Sequence, residues 1–105
     1  MSNEKEDLKK SALRMLERAR VTAKLEKIPD ESEKDGVIYM PDGSRYEDIN
    51  DDISDLRYDL QSASLTLTDI GTSEEELGQL ILAANRLNAP HRAAMAAKKS
   101  AADYD

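Results

Sequence analysis

The strongest constraint on the fold is a run of apolar side chains that alternate spacings of four and three residues. Its members are Ile49, Ile53, Leu56, Leu60, Ala63, Leu67 and Ile70. This spacing places every member on one face of a helix over about three heptads. The sequence therefore predicts a helix over residues 47–70 whose apolar face packs against another helix, in the same chain or in a second copy.

A further helix is predicted over residues 74–88, where large apolar residues and alanine recur at helical spacing. Gly71 is expected to end the preceding helix in a left-handed conformation. Ser73 and Glu76 form the Ser-x-x-Glu pattern of a capping box. A connection this short predicts that helices 47–70 and 74–88 form an antiparallel α-hairpin.

The flanking segments predict two more helices and a small β element. Residues 4–28 have helical spacing and are followed by Pro29, and residues 29–36 form an acidic surface loop. Residues 37–46 predict a β-hairpin, because two β-prone runs flank the turn sequence Pro-Asp-Gly. Pro90 suits the first turn of a last helix, so residues 90–105 are expected to form an alanine-rich C-terminal arm.

The expected fold is therefore mainly α, a single helical domain over residues 1–105. It is a small bundle of about four helices around the central α-hairpin, with one short β-hairpin after the first helix. Leu, Ile, Val and Phe together number only 20 of 105 residues, so a monomer can bury only a thin core. We expect a homodimer or another partner complex to complete a seam of Ile49, Ile53, Leu56, Leu60, Leu67 and Ile70.

Reactive residue types are scarce in this chain. The absence of cysteine removes disulfides and thiolate chemistry, and a single histidine, His91, excludes a multi-histidine metal site. Asp48, Asn50, Asp52 and Asp59 match positions of a calcium loop, but Ile53 stands where that loop requires glycine. We therefore expect no enzymatic activity, no metal and no cofactor.

Acidic residues are concentrated in the middle of the chain. Residues 29–76 carry 15 acidic and 3 basic side chains, whereas both flanks are basic. Within this region Asp48, Asp52, Asp55 and Asp59 are spaced four, three and four apart along one side of the predicted helix. This stripe is a face for a basic partner, a solvated surface, or a face that pairs with basic residues of the first helix, which are Arg14, Arg18, Arg20, Lys24 and Lys27.

The preferred functional hypothesis is a non-enzymatic interaction protein: an adaptor, inhibitor or assembly factor, of a kind common among bacterial and phage accessory proteins. Its expected contacts are the acidic stripe, with Tyr39, Tyr46 and Tyr58 as anchors. One alternative is a nucleic-acid mimic that inhibits a DNA- or RNA-binding protein. Another is an oligomer that sequesters a small ligand, such as a nucleotide, through arginine and tyrosine.

The expected surroundings follow from charge and hydropathy. The acidic balance argues against direct nucleic-acid binding. The chain has neither an apolar run of membrane-spanning length nor an apolar signal core near its first residue. We therefore expect no membrane association and a cytoplasmic location.

Overall fold

The chain folds into three α-helices and one short 3₁₀ helix in the computed structural model, which describes residues 3–29, 37–40 and 42–103. Helix α1 spans Glu4–Thr22, α2 spans Ile49–Ser62 and α3 spans Glu74–Asp103, with the 3₁₀ helix at Leu67–Ile70 between α2 and α3. The predicted mainly α fold and small helical bundle are confirmed. Most of the predicted acidic loop, residues 30–36, lies outside the described residues.

Helix α1 packs closely against α2. Asn3 begins it, since the Asn3 side chain accepts a hydrogen bond from the Glu6 N–H at 3.3 Å. Ala12, Leu16 and Ala19 are fully buried on one face, and the two small alanines allow the helices to approach each other. The helix ends at Thr22, not at the predicted residue 28, but Ile28 is still buried in the core.

The helix predicted over residues 47–70 is wrong in its second half, because α2 ends at Ser62. Ser64 takes a left-handed conformation with φ of 55°. The Ser64 N–H donates to the Gln61 carbonyl at 3.1 Å, and the Leu65 N–H donates to the Leu60 carbonyl at 2.8 Å. These two bonds form a Schellman motif, which ends a helix by satisfying its last carbonyl groups.

The apolar seam is consequently divided between two elements. Ile49, Ile53, Leu56 and Leu60 are buried on α2, whereas Leu67 and Ile70 belong to the 3₁₀ helix. Thr66 and Asp69 cap that helix reciprocally, and Gly71 ends it with φ of 76°. The connection between α2 and α3 is therefore residues 63–73, longer than predicted.

Helices α2 and α3 are nevertheless antiparallel, as the sequence predicts. Arg57 on α2 binds Glu74 at the start of α3 through two hydrogen bonds of 2.9 and 2.8 Å. At the other end, the Asn88 amide on α3 donates to the Asp48 carboxylate at 2.9 Å. Half of the predicted capping box is present, since the Ser73 hydroxyl accepts from the Glu76 N–H at 3.2 Å, whereas the Glu76 carboxylate binds Arg20 and Thr72.

The separate fourth helix is a wrong prediction. Pro90 lies inside α3, which continues to Asp103. Proline removes one backbone hydrogen bond and normally ends or kinks a helix. Here Leu87 and Asn88 anchor α3 just before Pro90, and the alanine-rich segment after it has high helix propensity, so the helix continues.

In the described residues the predicted β-hairpin at residues 37–46 is reduced to isolated bridge residues, with an antiparallel bridge between Tyr39 and Arg45. The Tyr46 N–H donates to the Ile38 carbonyl at 2.8 Å, beside the bridge. The pairing is short because Asp48 already caps α2 three residues after Arg45. Pro41, part of the predicted turn, lies outside the described residues.

Candidate partner-binding site between helix α1 and residues 40–47

A partly buried ion pair positions α1 against the first turn of α2. The Arg18 Nε donates to Asp52 Oδ2 at 3.0 Å, and Arg18 Nη2 binds Asp52 Oδ1. Asp52 is only 1% exposed. The hydrogen bond to Asp52 raises the pKa of Arg18 above its ordinary value, so Arg18 stays charged and neutralises the buried carboxylate.

A second polar network connects α3 to the same region. The Tyr46 hydroxyl donates to the Asn88 side-chain oxygen at 3.3 Å, and the Asn88 amide donates to Asp48. Asp48 also caps α2, accepting from the Asn50 N–H at 2.7 Å. Burial of the Tyr46 ring raises the pKa of its hydroxyl to about 12, so Tyr46 is neutral at ordinary pH and holds the segment before α2 in place.

The four aspartates of the predicted acidic stripe have four different surroundings. Asp48 is a half-buried cap, Asp52 is buried against Arg18, and Asp55 is exposed. Asp59 is half-buried, and its Oδ2 is buried without a hydrogen-bond partner. No continuous exposed array of carboxylates therefore runs along Asp48–Asp59, although a nucleic-acid mimic needs one; that hypothesis stays a prediction. Asp52 instead pairs with Arg18, a basic residue of the first helix, which is the alternative that the sequence left open.

The three candidate tyrosines do not come together on one exposed face. Tyr46 is half-buried between α1 and α3, and Tyr39 is half-buried in the bridge to Arg45. Tyr58 is 70% exposed on α2. Only Tyr46 lies near Asp48 and Asp52, so these three residues share one region with α1.

A surface cleft of about 490 Å³ opens beside Tyr46, between α1 and the segment that leads into α2. Its described lining consists of Glu17, Arg18, Val21, Thr22, Met40, Asp42, Ser44, Arg45, Tyr46 and Glu47. We call this the α1 cleft. We refer to its apolar lining residues, Val21, Met40 and the Tyr46 ring, as the floor, and to its charged lining residues as the rim. Such a combination of apolar floor and polar rim is typical of a binding site.

Sequence reasoning identified only Tyr46 in this cleft as a contact residue. Val21 lies on α1 and is 60% exposed. The sequence carries one indication of this exposure. Val21 does not continue the helical spacing of Ala12, Leu16 and Ala19, so it does not lie on their buried face. Nothing in the local sequence marks Glu17, Met40 and Glu47 as cleft residues. They come together only because the segment before α2 packs against α1.

The described residues hold no group of three or more His, Asp or Glu side chains that could bind a metal ion. None of the helices there is long and apolar enough to cross a membrane. Compared with known protein families, curated proteins and solved structures, the chain matches none.

Proposed function

We propose that the protein is a non-enzymatic interaction protein that binds a basic segment of a protein partner in the α1 cleft. The observation that carries the proposal is the exposed apolar side chain of Val21 in a cleft whose charged lining is three carboxylates and two guanidinium groups. An exposed apolar patch with a polar rim is the usual form of a protein-binding surface. The function follows from this surface and needs no reactive group.

The charge of the cleft favours a basic partner. Glu17, Asp42 and Glu47 contribute three carboxylates to the lining, and Glu17 is paired with Arg20 on α1 at 2.6 Å. Arg18 is paired with Asp52, so the lining keeps the carboxylates of Asp42 and Glu47 beside the guanidinium of Arg45, a balance of one negative charge. Lysine and arginine side chains can lay their aliphatic stems on an apolar floor while their charged ends reach carboxylates at the rim.

The cleft is also rigid where it meets the helices. The ion pair between Arg18 and Asp52 fixes its α1 wall, and the hydrogen bond from Tyr46 to Asn88 fixes its floor. Asp42 accepts from the Ser44 N–H at 2.9 Å, which orders the turn at the rim. A preorganised site loses less entropy on binding, so a modest contact area can still give specific recognition.

The test compares two charge insertions at equally exposed positions. Val21→Lys places a cation on the cleft floor, where it repels a basic partner. Leu82→Lys is the matched control, because Leu82 is 61% exposed on α3 and does not line the cleft, against 60% for Val21. Each variant and the natural protein serve as bait for the proteins of the source cell, and the captured proteins are quantified by mass spectrometry.

We expect a partner with a basic segment to be captured by the natural protein and Leu82→Lys, and lost with Val21→Lys at unchanged thermal stability. Higher salt should weaken the capture, because exposed charges are screened. Equal capture by both variants excludes the α1 cleft as the binding site. The sequestration of a nucleotide-like ligand and the cytoplasmic location stay predictions.

A further inference from the structure

The segment that leads into α2 contains the dipeptide Asp42–Gly43 in an exposed turn. Both residues are exposed, and a Cβ atom placed on Gly43 would have no neighbour within 4 Å. Because glycine has no side chain, its backbone nitrogen is the least hindered nucleophile that can follow an aspartate in a chain. The dipeptide therefore has the composition in which aspartate rearranges most readily to isoaspartate.

This rearrangement proceeds in two steps and needs no reactant other than water. The Gly43 nitrogen attacks Cγ of the protonated Asp42 carboxyl group and loses its own proton, and the carboxyl hydroxyl leaves as water, which closes a five-membered succinimide ring. Water then adds to the carbon of the former Asp42 backbone carbonyl, and the bond from that carbon to nitrogen breaks. The main chain afterwards passes through Cβ and Cγ and is one atom longer, while the former backbone carbonyl becomes a carboxylate.

Hydrogen bonds of the folded turn oppose the first step at both reacting groups. The Gly43 N–H donates to the Met40 carbonyl at 2.8 Å, so the attacking nitrogen is engaged. The N–H and the hydroxyl of Ser44 both donate to Asp42 Oδ1, at 2.9 and 2.5 Å, and hold the carboxylate toward Ser44. A bond from the Met40 N–H to the Ser44 carbonyl at 2.6 Å closes the turn around them.

The bonds from Ser44 also keep the Asp42 carboxyl group in its unreactive form. The bond from the Ser44 hydroxyl first, then the bond from its N–H, lowers the pKa of Asp42, because both stabilise the charged carboxylate. A carboxylate must regain a proton before one of its oxygens can leave as water. Ser44 therefore opposes the reaction through the position of the side chain and through its charge.

We propose that Asp42–Gly43 is a latent site of isoaspartate formation, which Ser44 protects in the folded turn and which reacts when the turn opens. Turns of this kind open locally at a lower free energy than global unfolding, so the rate of the reaction depends on how often the turn opens. The proposal is independent of the proposed function, since it concerns a covalent change that needs no partner. It bears on the same surface, because Asp42 lines the α1 cleft and an isoaspartate lengthens the main chain at its rim.

The experiment measures isoaspartate at residue 42 in the full-length chain during incubation at mildly acidic pH. The samples are the folded natural protein, the natural protein unfolded in guanidinium chloride, and the variants Ser44→Ala, Ser44→Thr and Asp42→Glu. Peptide mapping with electron-transfer fragmentation separates residue 42 from Asp35–Gly36, another Asp-Gly pair of the sequence, which lies outside the described residues. Circular dichroism verifies that each variant is folded.

We expect residue 42 to react about tenfold more slowly in the folded natural protein than in the unfolded chain, because only the open turn reacts. Ser44→Ala should react about fivefold faster than the natural protein, the factor that corresponds to one lost hydrogen bond. Ser44→Thr keeps the hydroxyl and should remain slow. Asp42→Glu should give no product at residue 42, because a glutamate would have to close a six-membered ring.

Three outcomes overturn the proposal. The first is equal rates at residue 42 in the folded and the unfolded natural protein, and the second is no isoaspartate there even in the unfolded chain. The third is equal rates for Ser44→Ala and Ser44→Thr when both are folded. None of these outcomes affects the proposed function, which is tested separately by partner capture with Val21→Lys and Leu82→Lys.

Discussion

Arg18 and Asp52 form an ion pair whose two partners differ sharply in exposure. The Arg18 side chain is 47% exposed, whereas the Asp52 side chain is 2% exposed. Water can therefore solvate Arg18 if its partner is removed, but it cannot reach Asp52. The pair joins α1 to the first turn of α2 and forms one wall of the α1 cleft, so its loss affects both folding and the site.

Removal of Arg18 should cost more stability than neutralisation of Asp52. Arg18→Met leaves a buried carboxylate without its cation, and we expect a loss of about 3 kcal/mol in the free energy of unfolding. Asp52→Asn leaves the arginine partly hydrated, and we expect about 1 kcal/mol. Urea unfolding measures both, with the exposed Asp55→Asn as control. Equal losses for the two variants contradict the asymmetry.

Ser64→Gly should stabilise the protein. Ser64 is the one residue other than glycine with positive φ in the described part of the chain, and a left-handed conformation costs an L-residue about 1 kcal/mol. Glycine removes this cost but gains entropy in the unfolded chain, so we expect a net gain of about 0.5 kcal/mol. Thermal unfolding measures it.

The matched control for Ser64→Gly is Ser62→Gly, two residues earlier. Ser62 is the last helical residue of α2, where glycine has poorer helix propensity than serine. The control should therefore lower the melting temperature while Ser64→Gly raises it. A decrease in both variants contradicts a free-energy cost of the left-handed conformation at Ser64.

Acid should destabilise the contact between α1 and α3 through Glu76. Arg20 Nε and Nη2 bind its carboxylate at 3.0 and 2.7 Å, and the Thr72 hydroxyl donates to it at 2.6 Å. The Arg20 bond first, then the Thr72 bond, lowers the pKa of Glu76. Its contribution is therefore complete above the ordinary glutamate pKa of about 4.3 and is lost as the pH falls through the lowered value.

Melting temperatures measured from neutral pH down to acid test this linkage. Glu76→Gln should be less stable than the natural protein at neutral pH, and its melting temperature should fall less steeply in acid. Glu75→Gln, at the exposed neighbouring position, should follow the natural curve. If the melting temperatures of Glu76→Gln and the natural protein fall in parallel as the pH is lowered, ionisation of Glu76 does not contribute to stability.

Alkaline pH should destabilise the protein through ionisation of Tyr46. Burial raises the pKa of Tyr46 to about 12, above the ordinary tyrosine value of about 10. The folded state therefore holds the proton more tightly, and the stability from this group is complete below pH 10 and lost as the pH rises toward 12. Ultraviolet titration should show one tyrosine that ionises late, absent in Tyr46→Phe and retained in Tyr58→Phe.

Local patterns in the sequence were sufficient to predict where the three helices begin, but not where they end. Asn3, Asp48 and Ser73 each begin a helix with a side-chain hydrogen bond, and such bonds need only a few neighbouring residues. The end of α2 could not be predicted this way. Ser64 takes the position that normally requires glycine, and no short-range rule assigns that conformation to serine.

The candidate site was less accessible to prediction than the helices. Tyr46 was named, but Val21, Glu17 and Met40 were not, because a cleft between α1 and residues 40–47 depends on contacts distant in the sequence. Pro90 shows the same limit in α3, where buried neighbours and a strong helix-forming segment outweigh a local helix-breaking residue.

The sequence by itself determined that Ile49, Ile53, Leu56 and Leu60 share one buried helix face, because a heptad spacing places side chains on one side of any helix. It also determined that α2 and α3 are antiparallel neighbours. Only the tertiary structure decided which acidic residues are exposed. Asp52 lies on the same helix as exposed Asp55, yet it is buried because Arg18, 34 residues away, compensates its charge.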